Sequence, residues 1–169
     1  MKQQRIRFAT LEDALQIATI NIQAWQLAYQ EIVDQEVLSK LSIEKSTRAI
    51  EKRLHEQPHE IMIIENHTEI EGFIGFGDPR DEDVNPQQVA EIYTVYFSEK
   101  YYGNGSAKKL MMDVLTLLRQ QKIKEVVLWV FEENERALHF YKKIGFNQIT
   151  NRKLYKGKTP EIRLSYYFD

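Results

Sequence analysis

The chain of 169 residues contains no cysteine, only four prolines and seven glycines, and no long apolar run. The absence of cysteine excludes disulfides, thiolate metal sites and a thiol nucleophile, and it is typical of a protein from a reducing compartment. Neither a stretch of 18 apolar residues nor a charged-then-apolar amino-terminal signal is present. We therefore expect a cytoplasmic protein that neither spans a membrane nor is secreted.

The chain also lacks a large excess of positive or of negative charge. Lysine and arginine number 23 against 25 acidic residues, and basic residues form no block, which argues against nucleic-acid binding. The histidines show no metal-ligand spacing, since Pro58 lies between His55 and His59, so we expect no metal. The length is that of one domain, and we predict a single domain over residues 1–169.

The distribution of apolar residues predicts alternating strands and helices. Predicted strands cover 6–9, 60–65, 71–77, 89–98, 125–131, 146–149 and 162–168. Predicted helices cover 11–29, 106–121 and 134–144, with a second helical region over 34–41 and another helix over 43–55. This pattern, read as β-α-α-β-β-β-α-β-α-β-β, predicts an α/β fold with a mixed central sheet of about seven strands flanked by helices.

The turn before the fourth predicted helix is the most informative segment. Gly103, Gly105 and Ala107 have almost no side chain, so their amides can approach a ligand closely. The helix that follows directs unpaired amides and the positive end of its dipole to the same place, which favours phosphate. Lys108 stands where the dinucleotide-binding pattern Gly-x-Gly-x-x-Gly has its third glycine, and the Gly-Lys-Ser/Thr of a Walker loop is lacking. The turn therefore matches neither of these two phosphate-binding motifs. The alternative is a turn that needs glycine for its geometry alone.

Three motifs occur in an order that resembles one family. They are the strand Glu91–Phe97, the turn Tyr102–Ala107, and a run from Asn134 through Ala137, Phe140, Tyr141 and Gly145 to Phe146. Together they resemble the GNAT superfamily of acetyl-CoA-dependent N-acetyltransferases, and the strand order fits this family over nearly the whole chain. The turn is similar to the family signature Arg/Gln-x-x-Gly-x-Gly/Ala. Tyr102 departs from it, because a tyrosine brings no cation to the phosphates.

The resemblance implies a co-substrate, acetyl-CoA, and an acceptor that is a primary amine. It implies that the amide-bearing arm of the cofactor pairs with the strand near Val95 and Phe97, and that its pyrophosphate lies on the turn. Lys100, Lys108 and Lys109 flank the turn and could meet a further phosphate, or could be solvated. The implied cofactor-binding residues are Val95, Phe97, Tyr102, Gly103, Asn104, Gly105, Ser106, Ala107 and Asn134.

Two residues are candidates for proton transfer. Tyr141 is the candidate general acid for the departing thiolate, because a tyrosine hydroxyl with a pKa near ~10 is a neutral donor at pH 7. Asn134 lies on the same helix face, two turns away, and is predicted to cap the helix. Glu91 is the candidate base, acting directly or through water. The alternatives are a half-buried aromatic ring for Tyr141 and a solvated side chain for Glu91.

Several functional questions stay open at the level of sequence. A coenzyme-A-binding regulatory module without turnover and a transferase with a longer acyl donor are the rival interpretations. The acceptor is a small-molecule or peptide amine, and the acidic loop Asp81–Asp83 could attract a cationic one or could be solvated. The aromatic residues Tyr166–Phe168 could serve a homodimer interface.

Overall fold

The computed structural model describes residues 3–169. Its strands are β1 Arg5–Phe8, β2 Ile61–Glu65, β3 Ile70–Gly77, β4 Val89–Phe97, β5 Glu125–Phe131, β6 Gln148–Tyr155 and β7 Thr159–Tyr167. Its helices are α1 Ala14–Ala28, α2 Gln35–Ser39, α3 Ile43–Glu56, α4 Ser106–Gln120 and α5 Glu135–Ile144. Short 3-10 turns at Leu11–Asp13 and Glu99–Tyr101 precede α1 and α4.

The seven strands form one mixed sheet in the order β1-β2-β3-β4-β5-β7-β6. The strand β4 pairs with β5 in parallel, from Val89 opposite Glu125 to Ile92 opposite Leu128. Antiparallel pairing joins β1 to β2, β2 to β3, β5 to β7 and β6 to β7. A parallel pair needs a long crossover, which here contains α4. This architecture confirms the predicted α/β fold with a mixed seven-stranded sheet.

The chain divides into two compact units, of which the first contains residues up to Gly75 together with Thr94–Val114. Its core is formed by apolar residues of α1, α3 and the strands β2 and β3, among them Ile17, Ile20, Leu54, Ile63 and Phe73. Burial of such aliphatic and aromatic side chains is the main source of its stability.

The second unit contains Phe76–Tyr93 and Leu115–Asp169. Val126, Val127 and Leu128 of β5 are buried in it. The helix α5 ends at Gly145, after which Phe146 is buried beside Tyr141 and Tyr166, with ring centroids 6.0 and 5.4 Å away. The single-domain interpretation of residues 1–169 stays a prediction.

The carboxyl-terminal strands differ from their prediction. The predicted strand 146–149 is wrong in extent, because β6 begins at Gln148 and runs to Tyr155, and β7 begins at Thr159. Nearly every residue of β6 is exposed at the edge of the sheet, so its sequence has no apolar alternation to mark it. Three helices precede β2, which agrees with the predicted segments 11–29, 34–41 and 43–55, although the predicted order β-α-α-β counted only two of them.

Candidate active site

The turn between β4 and α4 requires glycine for its backbone. Gly103 has φ +78° and Gly105 has φ +88°, the left-handed region that side-chain-bearing residues rarely adopt. Apart from the glycine itself and its two neighbours in sequence, no heavy atom of the described chain lies within 4 Å of the place where a Cβ would stand at either residue. Backbone conformation, rather than packing against the protein, therefore explains both glycines, and the surface above them is open.

Main-chain amides in this turn alternate between paired and unpaired. The amides of Tyr102 and Asn104 donate to the carbonyls of the preceding 3-10 turn at 3.0 and 3.3 Å, and the Ser106 amide donates to Asn104 Oδ1 at 2.9 Å. Within residues 3–169, the amides of Gly103, Gly105 and Ala107 find no acceptor. Unpaired donors at a helix amino terminus suit an anion, so the turn has the donor set that a pyrophosphate requires.

A buried carboxylate, Glu71 of β3, contacts this turn, and the sequence analysis did not predict it. It is 2% exposed, and it accepts hydrogen bonds from Gln4 Nε2 at 2.8 Å and Asn66 Nδ2 at 3.0 Å. Two residues of the turn also donate to it, Asn104 through Nδ2 at 3.2 Å and Ser106 through its hydroxyl.

The protonation of Glu71 follows from these contacts. Burial by itself raises the pKa of a carboxyl group, but here the hydrogen bonds from Ser106, Asn66, Asn104 and Gln4 outweigh burial and hold the pKa of Glu71 below its usual value. Glu71 is therefore an ionised carboxylate in contact with the turn at neutral pH. A lone acid in the apolar strand sequence Ile70–Gly77 was the only local signal for it.

The end of β4 carries Val95 and Phe97. Phe97 is buried, and its ring fills the space beside Gly72, where an added Cβ would stand 2.2 Å from Phe97 Cδ1. The β4–β5 pairing ends at Ile92, although β4 continues to Phe97. Val95 is half-buried. The Phe97 side chain thus belongs to the core, and the main chain of this segment is the part suited to meeting a ligand.

Glu91 is fully buried and is held by Arg80. The Arg80 main-chain amide donates to Oε2 at 2.8 Å, while Nη2 and Nε donate to Oε1 at 2.6 and 3.2 Å. The hydrogen bond to Glu91 raises the pKa of Arg80 above its ordinary value. The alternative of a solvated Glu91 is therefore wrong. Arg80 also lies over the ring of Tyr93, whose hydroxyl donates to the Asp78 carbonyl.

Asn134 and Tyr141 lie at the two ends of α5. The Asn134 side chain accepts a hydrogen bond from the Ala137 amide at 3.2 Å, so the structure confirms the predicted cap. The Tyr141 ring is buried and packs edge-on against Phe140 and Phe146. Its carbonyl accepts hydrogen bonds from the Gly145 and Phe146 amides, which close the helix. The backbone and ring of Tyr141 are thus held in place from both sides.

Two of the three loop acids neutralise a buried arginine. Arg163 of β7 is 4% exposed and donates to Asp81 at 2.9 Å and to both oxygens of Asp83 at 2.7 and 2.8 Å. Asp81 also accepts from the indole nitrogen of Trp129 at 2.8 Å. The hydrogen bond from Arg163 lowers the pKa of Asp83. These carboxylates anchor the loop to the sheet and carry little unpaired charge for a cationic acceptor.

Of the lysines beside the turn, Lys100 forms an ion pair with Glu69, which also accepts from the Tyr101 hydroxyl. Lys109 lies 3.4 Å from the Gln4 amide oxygen. Among residues 3–169 the structure contains no group of three or more histidine and acidic side chains placed to hold a metal ion. No helix in the described range has the length and apolar character to cross a membrane.

The predicted site residues thus form two groups. In the first unit the structure brings the turn 102–107 into contact with Glu71, beside the end of β4. In the second unit it places Glu91 with Arg80, and it places Asn134 and Tyr141 on one helix. The roles of Glu71, Arg80 and Arg163 were not predicted from sequence. Glu71 and Arg163 have partners that are distant along the chain, whereas Arg80 lies 11 positions from Glu91 without a pattern that marks the pair.

The fold, the glycine turn before α4 and the capped α5 agree with the family that the sequence motifs resemble. The model of the Acetyltransferase (GNAT) family matches residues 21–146, and the chain belongs to this family. The predicted family is therefore confirmed, and with it the class of enzyme, an acyl-CoA-dependent acetyltransferase.

Three similar proteins agree with this assignment. An uncharacterized N-acetyltransferase, YuaI of Bacillus subtilis, is 24% identical over 80% of this chain and 76% of its own. A mycothiol acetyltransferase of Thermobifida fusca is 32% identical in a match that covers 46% of this chain and only 24% of that relative. The PaiA N-acetyltransferase of Thermoplasma acidophilum, solved in complex with coenzyme A, superposes with a TM-score of 0.72 at 22% identity over 97% of this chain and 99% of its own.

Proposed function

We propose that the protein transfers an acetyl group from acetyl-CoA to a primary amine by direct attack within a ternary complex. The observation that carries the proposal is the turn 102–107, which presents the unpaired amides of Gly103, Gly105 and Ala107 at the amino terminus of α4. A diphosphate needs several convergent donors with no side chains in the way, and this segment supplies them.

Residues 95–107 supply the groups that bind the cofactor. The glycine turn holds the pyrophosphate, and the main chain of β4 near Val95 and Phe97 pairs with the amides of the cofactor arm as an added strand would. Support comes from the β4–β5 pairing, which stops at Ile92. A main-chain N–H near Phe97 polarises the thioester carbonyl. Tyr102 contacts the cofactor but brings no cation to its phosphates, so the affinity for the cofactor depends mainly on the main-chain amides of the turn.

Tyr141 and Glu91 supply the proton transfers. Tyr141 protonates the thiolate that leaves when the amine attacks, and packing against Phe140 and Phe146 fixes the orientation of its ring. Glu91 accepts the proton that the ammonium group of the acceptor must lose. Both oxygens of Glu91 already accept from Arg80, which favours a route through an ordered water over direct contact. Asn134 combines the helix cap with a contact to the cofactor.

The acceptor is a primary amine of a small molecule or of a peptide. The loop acids do not select among these, because Asp81 and Asp83 are bound to Arg163. A mycothiol acetyltransferase among the relatives is compatible with a small-molecule acceptor, although this chain matches only a part of it.

Calorimetry combined with an acceptor screen tests the proposal. Titration with coenzyme A should give saturable binding, and thiol release from acetyl-CoA should be stimulated by at least one member of a panel of small amines and peptides. Mass spectrometry should detect the acetylated amine. Binding without any product in the whole panel would favour a regulatory module, and turnover restricted to longer acyl donors would favour the other rival. Failure to bind coenzyme A at millimolar concentration would refute the proposal.

A further inference from the structure

Glu71 is a buried ionisable group that the proposed chemistry does not use. It makes contacts with five other residues of the first unit. Its Oε2 atom accepts from Gln4, Asn104 and the Ser106 hydroxyl, its Oε1 atom accepts from Asn66, and its carbonyl accepts from the Ser98 amide. Asn104 and Ser106 belong to the turn that presents the unpaired amides, and Ser98 immediately follows β4.

The contacts of Glu71 require a group that only accepts hydrogen bonds. All of its side-chain partners donate, two through asparagine Nδ2 atoms, one through glutamine Nε2 and one through a hydroxyl. A glutamine in this place would turn one NH₂ group toward these donors, and at least one hydrogen bond would become a donor–donor contact. An ionised carboxylate is therefore the side chain that satisfies the set.

Asn104 links this carboxylate to the free amides. Its Nδ2 donates to Glu71, and its Oδ1 accepts from the Ser106 amide. Both ends of the Asn104 side chain are thereby fixed, and Ser106 is held a second time through its own hydroxyl. These contacts define the backbone path from Gly103 to Ala107, and this path determines where the three unpaired amides point.

The charge of Glu71 opposes the function of the turn. A buried negative charge beside a phosphate site repels the ligand, and the side chains that donate to Glu71 among residues 3–169 are neutral. Electrostatics and positioning therefore predict opposite effects on cofactor affinity when the charge is removed. Removal of repulsion tightens binding, whereas loss of the hydrogen-bonded arrangement weakens it.

We propose that Glu71 is a positioning residue for cofactor binding, which orders the 103–107 amides through Asn104 and Ser106, and that positioning outweighs its repulsion of the phosphates. The inference rests on the proposed function of this turn. It assigns Glu71 no contact with substrate.

The variant Glu71→Gln separates the two effects. We expect the Kd of coenzyme A to rise by about tenfold, as one or two charge-assisted hydrogen bonds are lost. The kcat at saturating acetyl-CoA and the KM of the acceptor should stay within about threefold, because the proton-transfer groups are untouched. An unchanged or lower Kd in a folded Glu71→Gln variant would overturn the inference.

Glu69→Gln is the matched control. Glu69 lies two residues away, is half-exposed, and pairs with Lys100 and Tyr101 instead of Asn104 or Ser106. The Glu69→Gln variant removes one negative charge, as Glu71→Gln does, but leaves the contacts with Asn104 and Ser106 intact. The Kd of coenzyme A should therefore change by less than about twofold. Equal weakening by both glutamate variants would also overturn the inference.

Asn104→Ala keeps the inference testable if Glu71→Gln does not fold. The double variant combines Asn104→Ala with Glu71→Gln or, if Glu71→Gln does not fold, with Ser106→Ala. The loss of binding free energy for coenzyme A in the double variant should be smaller than the sum of the losses in the two single variants, because both changes interrupt one set of contacts. Additive losses would contradict the coupling. Wild-type protein that fails to bind coenzyme A refutes the proposed function, whereas binding that survives Glu71→Gln refutes only the positioning role.

Discussion

Glu71 and Glu91 are both buried carboxylates, yet the two units of the protein stabilise them in different ways. Glu71 is surrounded by neutral donors and keeps its charge, with two of its partners in the turn. Glu91 is paired with Arg80, whose side chain is 64% exposed, so its charge is compensated by a group that water also reaches. The difference is that neutral hydrogen-bond donors stabilise the first acid, whereas an arginine balances the charge of the second.

Replacing Tyr141 by phenylalanine should have the largest effect, because Tyr141 is proposed to protonate the leaving thiolate. Loss of the proton donor should lower kcat by about 100-fold or more, with the Kd of coenzyme A unchanged. Steady-state kinetics and calorimetry measure the two quantities. Tyr166→Phe is the control, since it removes a hydroxyl from another ring that contacts Phe146. A Tyr141→Phe enzyme with normal turnover would exclude the acid role.

Replacing Arg80 by methionine should destabilise the protein, because it leaves Glu91 buried without its charged partner. We expect the free energy of unfolding to fall by about 2 kcal/mol, less than for a fully enclosed pair because water can approach from the Arg80 side. Denaturant unfolding measures this change. In Arg152→Met, which removes an exposed pair with Glu132 at 3.6 Å, the loss should stay below about 0.5 kcal/mol. Equal losses of unfolding free energy in the two variants would mean that the ion pair with Arg80 does not stabilise the buried Glu91.

Replacing Gly105 by alanine should weaken binding rather than catalysis, in contrast to Tyr141→Phe. The positive φ makes alanine unfavourable by about 1 kcal/mol, and relief of this strain should displace the amides and raise the Kd of coenzyme A several-fold. Gly157→Ala is a matched control, because Gly157 has φ +72° and open space around it. Similar melting temperatures but unequal cofactor affinities for the two variants are the expected result; a normal affinity for Gly105→Ala would contradict the role of the turn.

The smallest predicted effect is on the acid dependence of stability. The pKa of Glu71 is lower in the folded protein than in the unfolded chain, so unfolding binds protons as pH falls. Its contribution should be complete well above the ordinary glutamate pKa of about 4.3 and be lost as pH falls through the lower folded value. Urea unfolding between pH 7 and pH 3 should show the stability gap between wild type and Glu71→Gln closing with acidity. A gap that does not depend on pH would mean that the carboxylate is not ionised.

The features that sequence predicted well are local. The turn with its two glycines and the Asn134 cap depend on residues a few positions apart, and both are present in the structure. The strands β2 to β5 were also located to within about a residue, because their apolar runs are bounded by polar turns.

The features that sequence did not predict depend on contacts between distant segments. Gln4 meets Ser106 across 102 positions, and Arg163 meets Asp81 across 82. Nothing in the local pattern around Glu71 shows which donors surround it, and a lone charged residue in an apolar strand is compatible with many environments. The extent of β6 was mispredicted for a different reason, because its exposed residues follow no periodic pattern.

The exposed strand β6 lies at one edge of the sheet, next to β7 alone. An open edge is a template on which a strand of another molecule can add, and this is a common route to aggregation. Arg152 and Lys153 stand side by side on this edge and are exposed. Exposed charged residues disfavour the addition of another strand to an open edge, and on β6 the same residues made the strand hard to recognise from sequence.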